Sequence, residues 1–192
     1  MHSDHYNDVY TQKYRDEFIR EPLFKENLKG MYILDAMCAS GIETGYLIKQ
    51  GANVVGVDIS EKNVEEYKRR WGKPCFVNSI HQTKFPDNTF DAIYICGGLH
   101  HVLPLLNETI LEIHRILKPG GYLAVGDWMR NDDNPPSLQM QEYIAAEGLD
   151  YYMCSLDKYR EILENTGFKI ISMNDRNEWY LKKVKKEVAD IE

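Results

Sequence analysis

The segment Ile33-Leu-Asp-Ala-Met-Cys-Ala-Ser-Gly-Ile42, followed by Val54-Val-Gly-Val-Asp58, restricts the fold more than any other part of the chain. It reads as a buried strand, a tight turn, a helix and a second buried strand that ends in a carboxylate. Parallel strands joined in this way need a crossover, for which a helix is the usual solution. The unit creates a crevice at the strand ends. There a helix N-terminus offers unpaired N–H groups, and the acid of the second strand can accept hydrogen bonds from two ribose hydroxyls.

The remainder of the chain repeats the pattern. Tyr10, Tyr14, Phe18, Leu23, Phe24 and Leu28 recur near a helical period over 8–29, with Pro22 as an interruption. Strands are predicted at Ile33–Met37, Asn53–Asp58, Pro74–Asn78, Phe90–Cys96 and Tyr122–Asp127. Between them lie helices from Gly41 to Gln50, from the N-cap Ser60 to Trp71, and over Leu105–Leu117. Near-continuous apolar strands alternating with helices indicate an α/β fold, a doubly wound parallel sheet with helices on both faces. Further helices are expected at Leu138–Glu147 and Ser155–Thr166. Phe168–Met173 and Glu178–Val184 then read as two strands joined by the turn Asn174-Asp-Arg-Asn177, an antiparallel hairpin.

Composition narrows the function classes. At 192 residues the chain fits a single domain over 1–192, and 43% hydrophobic with 28% charged residues suits a globular core. A net charge of −7 disfavours nucleic acid as a partner, because its binders present a basic stripe. Lys182, Lys183, Lys185 and Lys186 are the one basic cluster and read as a solvated strand end. Cys38, Cys75, Cys96 and Cys154 lack CxxC spacing, so they read as packing residues in a reducing compartment, with no metal expected. No apolar run approaches the roughly 20 residues of a membrane span, and no signal-peptide pattern opens the chain. A cytoplasmic protein without a membrane partner is the expectation; the sequence sets no oligomeric state.

Three further segments fall in order along the chain: Phe85-Pro-Asp-Asn-Thr-Phe-Asp91, the run Cys96-Gly-Gly-Leu-His-His101, and Arg115-Ile-Leu-Lys-Pro-Gly-Gly121. With Asp35–Gly41 and Asp58 they resemble class I S-adenosylmethionine (SAM)-dependent methyltransferases over about residues 6–184. The resemblance implies a mostly parallel seven-stranded sheet whose last strand is antiparallel, and SAM as cofactor. Asp35 would lie near the SAM amino group, with the main chain of Ala36, Met37 and Cys38 bordering the methionine part and Gly41 allowing close approach. Asp58 would take the ribose, beside Ile59. Ser79 and Ile80 stand at the adenine position and Cys96 at the tip of the fourth strand. Tyr14 would belong to an N-terminal lid helix, and 129–154 to a lid insertion. The sequence departs from the family at two places: Met37 and Ala39 replace the first two glycines of D-x-G-x-G-x-G, and Asn78-Ser79 replace an acid.

For the transfer itself, His101 is the candidate base and Asp127, at the tip of the fifth strand, its alternate or an anchor for a cationic acceptor. The expected reaction moves the methyl group of SAM to an N or O atom of a small-molecule acceptor. Two other readings stay open: a SAM-binding protein without turnover, and a nucleotide- or NAD-binding enzyme on a similar sheet. The missing G-x-G-x-x-G weighs against the last.

Overall fold

A computed structural model describes residues 27–146, 153–179 and 181–182. Five strands form one sheet in the order β3-β2-β1-β4-β5: β1 Tyr32–Ala36, β2 Asn53–Asp58, β3 Cys75–Val77, β4 Phe90–Cys96 and β5 Leu117–Gly126. Every pairing is parallel. The order reverses direction between β1 and β4, so the carboxyl ends of these two strands bound the crevice where such sheets take ligands.

Strand alternation sends successive side chains to opposite faces, and both faces are buried. Leu34, Ala36, Val55, Val57, Ile93 and Ile95 face one side, where α3 (Leu106–Ile116) brings Ile110, Ile113 and Ile116 and α5 (Leu156–Asn165) brings Tyr159 and Ile162. Ile33, Val54, Ala92 and Tyr94 face the other side and meet Leu47 of α1 (Thr44–Lys49). There α2 (Glu61–Trp71) adds Val64 and Tyr67, packed with Cys38 and Cys75. At about 25 cal/mol per Å² of apolar area, each fully buried Ile of α3 contributes roughly 2 kcal/mol. The remaining helix, α4, spans Leu138–Ala146.

The two sequence motifs flanking β4 and α3 turn out to be one device. Arg115, near the end of α3, donates to Oδ1 of Asp87 at 2.5 Å, to the Phe85 carbonyl at 2.9 Å and to both carboxylate oxygens of Glu112. Asn88, at φ +54°, donates its N–H to the Arg115 carbonyl at 3.0 Å. The turn before β4 is therefore stapled to the end of α3, where β5 begins.

The carboxy-terminal part corrects the prediction. The expected seven-stranded sheet with an antiparallel last strand has five strands among the described residues, and none of them is antiparallel. Phe168–Met173 forms no strand and pairs with none, and Ile171 is 86% exposed. Residues 177–179 and 181–182 are helical rather than extended. The cause is local: Oδ1 of Asp175 accepts the Asn177 N–H at 2.8 Å, so the stretch read as a hairpin turn acts as a helix cap. Among the described residues nothing pairs with the outer edge of β5. A cavity of about 1550 Å³ lies between that edge and residues 168–177.

Of the helix predicted over 8–29, only 27–29 are among the described residues, and Tyr14 lies outside them, as do 147–152 of the predicted lid insertion. Both ends of that insertion are tied together. The Arg130 N–H donates to the Cys154 carbonyl at 3.2 Å, and Asp133 accepts from the backbone N–H and hydroxyl of Ser155. No helix among the described residues is long and apolar enough to cross a membrane.

Candidate active site

The turn after β1 keeps the backbone of a glycine-rich loop without most of the glycines. Met37 (φ +56°), Ala39 (φ +47°) and Gly41 (φ +79°) are all left-handed, in strict alternation. An L-residue pays about 1–2 kcal/mol for that conformation, so the surroundings must hold the loop in shape. They do so with hydrogen bonds: Cys38 donates its N–H to the Val57 carbonyl at 3.1 Å, Gly41 to the Cys38 carbonyl at 2.8 Å, and Ala39 to Oδ2 of Asp58 at 2.8 Å. Above them the Trp71 indole covers Gly41 and Gly45; a Cβ built on Gly41 would stand 2.6 Å from its Nε1.

Asp58 ends β2 as expected, and its carboxylate organises the loop. Oδ1 accepts from the Ser60 N–H at 2.9 Å and the Asn63 amide at 3.1 Å, while Oδ2 accepts from the Ala39 N–H. A carboxylate has about four lone-pair sites, so one on Oδ2 remains for a ligand hydroxyl. Ile59, next in the chain, is 76% exposed, an apolar surface at the strand tip. Asn78 N–H joins the Asp58 carbonyl at 3.0 Å and brings the end of β3 alongside. Ser79 follows, with its hydroxyl 2.7 Å from Nδ1 of His81. Loop backbone, acid, apolar side chain and hydroxyl together suit a nucleoside.

Three of the expected residues are buried. Ile80 is 3% exposed and belongs to the core on the α3 face, so it offers no purine wall. Ala36 is likewise in that core at 1%. Asp35 is 2% exposed and accepts a 2.5 Å hydrogen bond from the buried Thr44 hydroxyl at the start of α1. Its carboxylate thus braces the loop from beneath. Cys96 closes β4 half-buried, and Gly97 (φ +65°) turns the chain by donating its N–H to the Gly126 carbonyl at 2.7 Å.

The tips of β4 and β5 carry the second half of the site. Asp127 has a fully buried side chain, and its Oδ1 lies 2.5 Å from Nδ1 of His100. Oδ2 accepts the His100 backbone N–H at 2.9 Å, and Oδ1 also accepts from the Trp128 N–H at 2.8 Å. The pairing is with His100, a residue the sequence reading passed over for His101. His101 is exposed, and its ring lies over His100 with centroids 3.9 Å apart. Its partial burial, followed by the neighbouring His100, holds its pKa below the ordinary 6.5 against the pull of Asp127. Spacing gave no signal for this choice: His100 lies four residues past the end of β4, and the loop between decides which imidazole reaches Asp127. The cavity beside β5 reaches Asp127, Trp128 and Met129 but touches neither Asp58 nor Met37.

Residues 34–125 match the family model described as "Methyltransferase domain". Over these residues the chain is a methyltransferase domain, and its homologues and structural neighbours are class I SAM-dependent methyltransferases. Phosphoethanolamine N-methyltransferase 1 of Arabidopsis thaliana is 30% identical over 185 residues, covering 92% of this chain and 36% of that protein. Sterol 24-C-methyltransferase erg6 of Aspergillus fumigatus is 33% identical over 159 residues, with 77% and 42% covered. The chain therefore spans about two fifths or less of these curated relatives. Haemonchus contortus phosphoethanolamine N-methyltransferase 2, solved with S-adenosyl-L-methionine, superposes with a TM-score of 0.77 at 21% identity over 95% of this chain and 42% of that one. That likeness concerns the fold. The strained turn follows β1 and Asp58 ends β2, while the His100–Asp127 pair lies beyond the ends of β4 and β5.

Proposed function

We propose that this methyltransferase domain moves the methyl group of SAM to an N or O atom of a small-molecule acceptor. One observation carries the reading: Met37, Ala39 and Gly41 hold left-handed backbone that two of them adopt at a cost, with the Ala39 N–H fixed on Asp58. Strain of this kind persists only where surrounding contacts over-determine it, and it concentrates at ligand-binding sites.

SAM, when bound, supplies a methyl carbon made electrophilic by its sulfonium. The chain's own residues supply the rest. Met37, Cys38 and Ala39 would line the cofactor with backbone, and Asp58 Oδ2 retains a lone pair for a ribose hydroxyl. Ile59 and Ser79 would flank the base. Asp127 orients His100 through Nδ1, leaving Nε2 to take the acceptor's proton as attack proceeds. We assign the base to His100 rather than His101, whose ring covers that of His100 and excludes water there. Asp127 is committed to His100 and so acts as its positioning residue. An N–H or O–H acceptor suits a neutral imidazole held in this way.

Calorimetry with SAM and S-adenosylhomocysteine, together with a tritiated-methyl screen over small amines, phenols and hydroxy acids, tests the reading. Micromolar or tighter binding of both compounds and label transfer to one acceptor class are expected. Binding without transfer to any acceptor would favour the SAM-binding alternative. Indifference to both compounds would end the proposal, as would unchanged affinity in Asp58→Ala.

A further inference from the structure

Beneath the strained loop, two thiols from different elements face each other. The Sγ atoms of Cys38 and Cys75 lie 3.7 Å apart, in residues 8% and 1% exposed. Cys38 sits between the left-handed residues Met37 and Ala39. Cys75 opens β3, and its sulfur fills the space that Gly56 leaves by having no Cβ, which would otherwise stand 2.8 Å away. The proposed transfer uses neither thiol.

We propose that Cys38 and Cys75 are an oxidation site, closed by a small peroxide into a disulfide that weakens cofactor binding. The second half of this statement rests on the reading that the loop borders SAM. In the first step the Cys75 thiolate attacks one peroxide oxygen and the O–O bond breaks. The sulfur becomes a sulfenic acid, and the departing hydroxide takes up the thiol's proton as water. In the second step the Cys38 sulfur attacks that sulfenic sulfur, the S–O bond breaks, and the oxygen leaves as water with the Cys38 proton. Two thiols lose two electrons and two protons in all, and the peroxide is reduced to two waters.

The hydrogen bond between the two sulfurs lowers the Cys75 pKa. The same bond raises that of Cys38, and burial and the Asp35 carboxylate push it further in that direction. The structural consequence follows from length. A disulfide needs its sulfurs about 2.05 Å apart, so the pair must close by about 1.6 Å. Cys38 is bonded through its N–H to Val57 and through its carbonyl to Gly41, and the adjoining N–H is the one that holds Asp58. Drawing Cys38 toward β3 therefore displaces the Ala39–Asp58 contact.

The test treats the folded chain with hydrogen peroxide, alkylates the remaining thiols, maps peptides by mass spectrometry and measures S-adenosylhomocysteine affinity before and after. A Cys38–Cys75 cross-linked peptide is expected, with affinity reduced at least about tenfold, equivalent to 1.4 kcal/mol, and restored by dithiothreitol. Cys75→Ser, or the smaller Cys75→Ala if the serine variant fails to fold, should keep its affinity under peroxide. Complete alkylation of both cysteines after peroxide treatment would overturn the proposal. So would cross-linked protein that binds as tightly as reduced protein. A cross-link in protein that binds no S-adenosylhomocysteine even when reduced would overturn the cofactor reading and the weakening, while supporting the oxidation site.

Discussion

Nδ1 of His100 lies 2.5 Å from Oδ1 of the fully buried Asp127, and the same carboxylate accepts the His100 backbone N–H. One acid thus fixes both the ring and the main chain of one histidine, while the adjacent His101 stays at the surface and covers it. The division of labour between two neighbours of identical chemistry is set by which one the β5 tip can reach.

Replacing the two histidines separately should separate their roles. His100→Ala should lower kcat by about 10²–10⁴, the range for a lost general base, with little change in S-adenosylhomocysteine affinity. His101→Ala should cost far less. Steady-state kinetics on both variants decide this, and equal losses would move the base back to His101.

The depressed pKa of His101 makes folding sensitive to mild acid. The unfolded chain takes up this proton more readily than the folded one, so stability from this group is full above the ordinary 6.5 and falls as pH drops through the lower folded value. His101→Gln should therefore flatten the decline in Tm between neutral and mildly acidic buffer. An NMR titration should place the His101 midpoint below 6.5.

Ala39→Gly should stabilise the protein. Ala39 pays for its φ of +47°, and glycine would not. A gain of about 1 kcal/mol in denaturant unfolding is expected, opposite in sign to an alanine-to-glycine change in a helix interior. A loss of stability would show that the loop is right-handed in solution.

Arg115→Met should break the staple between the turn before β4 and the end of α3. It removes the donor that Asp87 and the Phe85 carbonyl share and leaves Glu112 with Thr83 alone, at about 1–3 kcal/mol. Burial acts to raise the Glu112 pKa, but Arg115 and Thr83 outweigh it and hold it below 4.5. That stabilisation is present above 4.5 and lost as pH falls through the folded value. Acid unfolding of Arg115→Met should accordingly depend less on pH in that window than acid unfolding of the parent chain.

The parallel sheet was legible because both faces of β1, β2 and β4 are buried, which writes them as unbroken apolar runs bounded by turn residues. Asp58 and Asp127 were legible as strand-tip acids. Their partners were not, because Ala39 and His100 are chosen by loop geometry rather than by spacing in sequence. Asp35 and Ile80 fit a motif position, yet strand alternation turns Asp35 toward Thr44 and the core takes Ile80. The closing hairpin failed for a different reason. Asn and Asp serve hairpin turns and helix caps equally well, and at Asp175 the cap prevailed.

The indole roof over Gly41 and Gly45 carries an evolutionary consequence. Positions 37 and 39 can drift toward glycine and relax, because their side chains are tolerated at a cost rather than required. Positions 41 and 45 have no such latitude: even one methyl group at either meets Trp71, a rigid ring with its helix behind it. Lineages of this domain should therefore vary at the first two sites of the turn while the last glycine and the tryptophan change only together.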